Sequence, residues 1–270
     1  VTVTDGIGSK TVSTTVNVVT KCADGIQNFG EDGAYNLADI WHFTGRHGVP
    51  VFYSWPAAHG GLLGYFVDSE SGEYSIYHLK ETIRILAAIP ELENLHILAH
   101  SRGTVLVSTA IRELVIEARG AGISPRDRLK MQNVILAAPD LDFGVVQQRL
   151  AAERLETAIG HITVYTNAGD EALGLSQFLV AGLRFGRVTS NDLSDREKQA
   201  LNKIRNVSFI NVQGIDGFIG HSYYRTNAGA LSDIATVIKD SAAPGSTQRP
   251  LINGDGNFWT LPEGYPNRGN

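Results

Sequence analysis

Short runs of apolar and β-branched residues alternate along this chain with longer segments whose apolar residues recur at helical spacing. The short runs predict strands, and the longer segments predict amphipathic helices. This alternation is typical of a mostly parallel sheet covered by helices. The predicted core strands are 49–55, 95–98, 133–138, 162–165 and 207–212.

Turn residues bound several of these elements. Pro56 ends the predicted strand 49–55, and Pro90 stops the helix that precedes the predicted strand 95–98. Gly120 ends the long helix that follows this second strand. We expect a helix to end near Gly45, another to run through Leu150, two more to lie in 171–206, and a last one over 227–239.

The two ends of the chain differ from its middle. Residues 1–20 are rich in Val and Thr around an Asp-Gly break, which predicts a hairpin or two edge strands. Residues 241–270 are rich in Pro, Gly and Asn, and we expect an irregular tail that Trp259 and Leu261 anchor. The whole, residues 1–270, is predicted to form one α/β domain.

Composition narrows the classes of function. The 270 residues are 43% hydrophobic and carry a net charge of −5, which gives no basic surface for nucleic acid. The single cysteine, Cys22, excludes an internal disulfide and a cysteine-rich metal site. We expect no metal, no cofactor and no nucleic-acid partner, and oligomeric state stays open.

The sequence contains no apolar run long enough to cross a membrane and no signal-peptide pattern. These features favour a soluble, cytoplasmic protein. The sequence starts at Val1, however, so a targeting segment ahead of it stays an open question.

The strongest chemical signal is Ala-His-Ser-Arg-Gly at 99–103, between a buried strand and a long amphipathic helix. An abrupt strand-to-helix turn needs small residues two before and two after its central residue, and Ala99 and Gly103 meet that need. Ser101 is therefore a candidate nucleophile, although a serine here could instead cap the helix.

A serine nucleophile needs a general base. Among the eight histidines, only His221 lies in a loop after a late strand, where the carboxyl ends of parallel strands gather a site. The third member would be a carboxylate that orients the histidine. Asp170 and Asp140 each follow a core strand, both fit the chain order, and we favour Asp170.

An oxyanion hole requires two backbone N–H groups. One is expected from Arg102, directly after the nucleophile, and the other from Gly25 or Ile26 in the loop after the first strands. Gly25 permits a close backbone approach, but an ordinary turn would explain it equally well.

Several longer segments together resemble the bacterial α/β-hydrolases of unknown function called DUF900. The resemblance covers about 20–240 and rests on VPVFYSWP at 49–56, HILAHSRG at 96–103, ILAAPDLD at 135–142, VYTNAGDEAL at 164–173 and GHSYY at 220–224. It implies the α/β-hydrolase fold, a mostly parallel sheet with helices on both faces, and the triad Ser101, Asp170 and His221.

The sequence also departs from the family's pattern. Arg102 stands where Met is common, and Asp24 places a negative charge near the expected oxyanion hole. The leading hypothesis is hydrolysis of a small-molecule ester through an acyl-enzyme. Thioesterase, acyltransferase or peptidase chemistry with the same triad, and a non-catalytic interaction domain of the same fold, are the alternatives.

Overall fold

A computed structural model describes residues 12–18, 29–56, 61–168, 185–213 and 222–266. The strands are β1 (Val12–Val18), β2 (Val49–Phe52), β3 (Leu92–His100), β4 (Met131–Ala137), β5 (His161–Thr166), β6 (Val207–Val212), β7 (Ile252–Asp255) and β8 (Phe258–Leu261). The α-helices are α1 (Phe29–Phe43), α2 (Gly61–Ala87), α3 (Gly103–Gly120), α4 (Pro125–Leu129), α5 (Phe143–Gln147), α6 (Asp195–Asn202), α7 (Tyr223–Thr226) and α8 (Ala228–Asp240).

These strands form one sheet in the order β2-β1-β3-β4-β5-β6-β8-β7. Every neighbouring pair is parallel except β7 and β8. The carboxyl ends of the parallel strands therefore meet along one edge of the sheet, where an α/β fold places its ligands. The predicted mostly parallel sheet is confirmed.

Side chains that alternate along the strands fill two separate cores, one on each face of the sheet. Val134 and Leu136 of β4 pack on the face covered by α2 and α3. Ile135 and Ala137 of the same strand pack on the face covered by α1 and α8. Helices on both faces explain why the central strands are apolar at nearly every position.

The order of the sheet corrects the prediction for residues 1–20. β1 lies between β2 and β3 and pairs with both, so it is an interior strand and not an edge strand. Its Val and Thr content is compatible with either position, because strand order depends on contacts distant in sequence. Residues 1–11 lie outside the described part of the chain.

The prediction of an irregular tail is also wrong. β7 and β8 form a hairpin whose turn begins at Gly256, with φ +58°, and β8 extends the sheet beside β6. Asp255-Gly256 is a hairpin signal that the overall Pro, Gly and Asn content obscured. Leu261 is buried and Trp259 packs against the same core, as expected.

Between β4 and β6, the helices of the structure differ from those predicted from the sequence. The expected helix through Leu150 is divided into α5, a short π-helix over Gln148–Ala152 and a 3-10 helix over Leu155–Ala158. The left-handed residue Arg154, with φ +53°, interrupts it. Of the two helices expected in 171–206, α6 is present, and residues 169–184 lie outside the described part.

A buried ion pair joins the C-terminal segment to the rest of the fold. Arg249 and Asp233 of α8 are both fully buried, and the guanidinium donates two hydrogen bonds to the carboxylate at 2.9 and 2.8 Å. The hydroxyls of Tyr165 and Tyr265 each donate to the same carboxylate at 2.6 Å. The charge of Asp233 is thus fully compensated, as burial of a carboxylate requires.

We predict that Arg249→Met lowers the free energy of unfolding by about 3–5 kcal/mol, because it leaves the Asp233 carboxylate buried without its cation. Urea denaturation measures this, with Arg205→Met at an exposed position as the matched control. The control is expected to cost no more than about 0.5 kcal/mol. Equal decreases in the free energy of unfolding in the two variants would contradict a stabilising role for the ion pair of Arg249 and Asp233.

One buried histidine, His96, and one half-buried histidine, His161, make stability depend on pH. Burial lowers the pKa of His96 and of His161 to about 4. The amide nitrogen of Asn133 lies 2.9 Å from His96 Nδ1 and can only donate, so this ring is neutral in the fold. Below the ordinary histidine pKa of about 6.5, the unfolded chain takes up protons that the folded chain excludes.

We therefore predict that the free energy of unfolding falls as pH decreases from about 6.5 to 4, by up to about 1.4 kcal/mol per pH unit for each of these two histidines. In His161→Gln one of the two groups is removed, so the slope of the free energy of unfolding against pH should decrease by the contribution of one histidine. His42→Gln, the same substitution at an exposed ring of α1, is the matched control. Identical slopes in wild type and His161→Gln would contradict the assignment.

Candidate active site

Ser101 lies in the turn that joins β3 to α3. Its φ is +53°, in the left-handed region that L residues occupy at a cost of roughly 1–2 kcal/mol. β3 ends at His100 and α3 begins at Gly103, so only two residues connect strand and helix. A serine in a strained strand-to-helix turn is the geometry of a nucleophile elbow.

Hydrogen bonds hold the backbone of Ser101 on both sides. Its amide donates to the carbonyl oxygen of Ala137 at 3.0 Å. Its carbonyl oxygen accepts from the Thr104 amide at 3.0 Å, the Thr104 hydroxyl at 2.5 Å and the Asp140 amide at 3.4 Å. The strained conformation is therefore fixed by the end of β4 and by the first turn of α3, since strained backbone persists only where its surroundings hold it.

Arg102 directly precedes α3, and its side chain is buried. The amino end of this 18-residue helix is thus beside Ser101, where its dipole favours negative charge. Gly25 and Ile26 lie outside the described residues. The strand that leads to them, β1, ends at Val18 in register with Ala99, two residues before Ser101.

The two candidate carboxylates are placed differently. Asp140 follows β4, is buried, and contacts the Ser101 carbonyl through its amide. Asp170 lies outside the described residues, two positions beyond Ala168. The Ala168 carbonyl accepts hydrogen bonds from the Arg187 guanidinium at 3.3 and 3.1 Å, which fixes the backbone that enters this segment.

His221 also lies outside the described residues, but the chain directly after it is firmly held. The Tyr223 hydroxyl donates to the carbonyl oxygen of Tyr165 at 2.6 Å and accepts from the Ala138 amide at 2.9 Å. The ring of Tyr224 lies 4.4 Å from that of His100, the residue before Ser101. Both tyrosines are buried. This segment therefore packs against the ends of β3, β4 and β5.

Sequence reasoning missed the roles of Tyr223 and Tyr224. Two tyrosines after a candidate histidine were the available signal, but their contacts lie far away in the sequence. Tyr223 and Ala138, for example, are 85 positions apart.

Among the residues that the structure describes, no three His, Cys, Asp or Glu side chains converge to hold a metal ion. No helix in the described ranges is both long and apolar enough to span a bilayer.

The chain matches the family model described as "Alpha/beta hydrolase of unknown function (DUF900)" over residues 10–239. The matched region contains every candidate site residue and ends at Lys239, one residue before the end of α8. Arg249, Tyr265 and the β7–β8 hairpin lie beyond it. No curated protein sequence matches the chain.

Solved structures of low sequence identity match most of the chain. An esterase of Pyrobaculum calidifontis is 12% identical, covers 88% of this chain and 80% of its own, and gives a TM-score of 0.44. An esterase of Pyrococcus furiosus is 10% identical, with coverages of 84% and 81% and a TM-score of 0.47. A thermostable carboxylesterase cloned from a metagenomic library is 12% identical, with coverages of 87% and 83% and a TM-score of 0.47.

The strain at Ser101 yields a stability prediction. Glycine has no Cβ and enters the left-handed region without penalty, so Ser101→Gly should be more stable than Ser101→Ala by about 1 kcal/mol. Ser108, inside α3, provides the matched pair, since there Gly should be less stable than Ala by about 1 kcal/mol. Denaturant melts of the four variants measure both differences, and the same sign at both positions would contradict a strained turn.

Proposed function

This chain belongs to the DUF900 family of α/β-hydrolases, and from that membership and the geometry at Ser101 we propose that it is a serine hydrolase that cleaves carboxylic esters. In this proposal Ser101 is the nucleophile, His221 the general base and Asp170 the acid that orients it. The observation that carries the proposal is the left-handed backbone of Ser101 between β3 and α3. A serine that only capped a helix would not need this conformation.

Chain length and sheet geometry support His221 as the base. β6 is three strands from β3, which amounts to roughly 14 Å at the usual spacing between strands. His221 follows Val212 by nine residues, and an extended chain of that length spans up to about 30 Å. On the other side, the anchored residues Tyr223 and Tyr224 bring the chain back to His100.

Asp170 has similar support. β5 is two strands from β3, roughly 10 Å, and Asp170 follows its last residue, Thr166, by four positions. Asp140 remains the alternative, because its amide already contacts Ser101. The acid of a triad, however, lies behind the histidine and beyond hydrogen-bond reach of the serine, which favours the more distant strand.

The proposed reaction begins when His221 takes the Ser101 proton and Oγ attacks the ester carbonyl carbon. The amides of Arg102 and of Ile26 or Gly25 would stabilise the oxyanion, together with the amino end of α3. His221 then protonates the leaving alcohol and leaves an acyl-Ser101. Water attacks this ester with His221 again as base, which releases the acid and restores Ser101.

Two alternatives use the same residues differently. A thioester or amide could replace the ester, since all three proceed through the same acyl-enzyme. A non-catalytic interaction domain is the other alternative, motivated by Asp24 close to the expected oxyanion hole. The strained Ser101 argues against it, because a scaffold has no need to maintain that conformation.

The test is hydrolysis of p-nitrophenyl esters with short to long acyl chains by wild type, Ser101→Ala, Asp170→Asn and Asp140→Asn. We expect turnover by wild type and none above background in Ser101→Ala. Asp170→Asn should lower kcat by about 10⁴-fold, because it disturbs the tautomer and the charged form of His221. Circular dichroism confirms that each variant folds.

If kcat falls more in Asp140→Asn than in Asp170→Asn, Asp140 and not Asp170 is the acid of the triad. Turnover that survives in Ser101→Ala would refute the nucleophile. No turnover of any ester, with all variants folded, would favour the interaction domain.

A further inference from the structure

Three polar side chains form a row across neighbouring strands at the carboxyl edge of the sheet. Thr166 of β5 is in register with Asn211 of β6, and Asn211 is in register with Thr260 of β8. Register partners in a parallel sheet project from the same face about 4.8 Å apart. This is the face covered by α3, since Val164 and Phe209, two residues earlier in their strands, belong to its core.

The polar row borders a cavity of about 440 Å³, within the range of roughly 300–1,000 Å³ that small-molecule sites occupy. Phe209 and Phe258 form its apolar floor and stack at 4.7 Å between ring centroids. The 188–191 segment, Gln213 and Trp259 also line it.

The lining has a distinctive chemistry. It contains hydroxyl and amide groups but no Lys, Arg, Asp, Glu or His. Thr166 is buried, and Asn211 and Thr260 are half-buried. Hydroxyls and amides both donate and accept, so together they complement a ligand rich in hydroxyl groups and without charge.

The cavity also lies on the side of Ser101 where a leaving alcohol would be. It adjoins β5 and β6, the strands that lead to Asp170 and His221. Because the base protonates the departing oxygen, the alcohol part of an ester extends from Ser101 toward the histidine. At the usual spacing between strands, Thr166 is roughly 10 Å from β3, Asn211 roughly 14 Å and Thr260 roughly 19 Å. A polyhydroxylated group attached to the ester oxygen would therefore meet the row first at Thr166 and next at Asn211.

We propose that this cavity binds a neutral polyhydroxylated group, such as a monosaccharide, in the alcohol part of the substrate. This inference rests on the proposed ester hydrolysis. An acyl or alkyl chain is a poorer occupant, since it would cover three polar side chains without giving them hydrogen bonds.

The experiment compares kcat/KM for 6-O-butyrylglucose, hexyl butyrate and p-nitrophenyl butyrate, which share one acyl group. Wild type should prefer the glucose ester to the hexyl ester. In Asn211→Leu, the ratio of kcat/KM for the glucose ester to that for the p-nitrophenyl ester should fall about tenfold, as expected for lost hydrogen bonds. Thr166→Val, a nearly isosteric change at the member of the row nearest β3, should lower the ratio in the same direction.

The matched control is Asn94→Leu, the same substitution near the amino end of β3 at the opposite edge of the sheet. It should leave the ratio unchanged. A preference for the hexyl ester, or equal losses on all three esters in Asn211→Leu, would overturn the sugar site while the proposed hydrolysis stands.

If wild type cleaves none of the esters, the proposed hydrolysis fails, and the cavity is tested by calorimetric titration with methyl glucoside. Binding that weakens in Asn211→Leu but not in Asn94→Leu would then support a sugar site. No binding to wild type would overturn it.

Discussion

The left-handed turn at Ser101 depends on the hydrogen bonds that tie it to the neighbouring strand. The Ala137 carbonyl and the Asp140 amide hold it from the end of β4, and Thr104 holds it from the start of α3. Strain of this size persists only where surrounding contacts over-determine it. The position of the nucleophile is thus a consequence of how β3 and β4 end together, with His100 in register with Ala137.

Tyr165 connects the carboxyl edge of the sheet, where Ser101 lies, to the core beneath α8. Its carbonyl oxygen accepts from Tyr223, close to the candidate base, and its hydroxyl donates to Asp233. Asp233 in turn binds Arg249 and Tyr265, which come from the segment beyond the family match. One tyrosine therefore joins the C-terminal segment to the chain that follows His221, so that this segment supports the site without contributing a residue to it.

Local signals predicted what local interactions determine. The small residues around Ser101 and the apolar runs before it predicted a strand-to-helix turn, because the crowding that demands them acts within five positions. Asn227 was predicted to begin the last helix, and it caps α8 by accepting from the Ala230 amide at 2.9 Å. The interior position of β1, the pairing of β8 with β6 and the partners of Tyr223 were not predictable, because each depends on residues distant in sequence. The polar row of Thr166, Asn211 and Thr260 is of the same kind, since each residue alone is unremarkable in its strand.

The most direct test of the central claim is covalent labelling with a fluorophosphonate, which reacts with a serine that a neighbouring base activates. We predict that the added mass is found at Ser101, on the tryptic peptide that ends at Arg102, and that His221→Ala abolishes the labelling while the fold persists. Labelling at another serine, or no labelling of the folded wild-type protein, would contradict the assignment of Ser101 as an activated nucleophile.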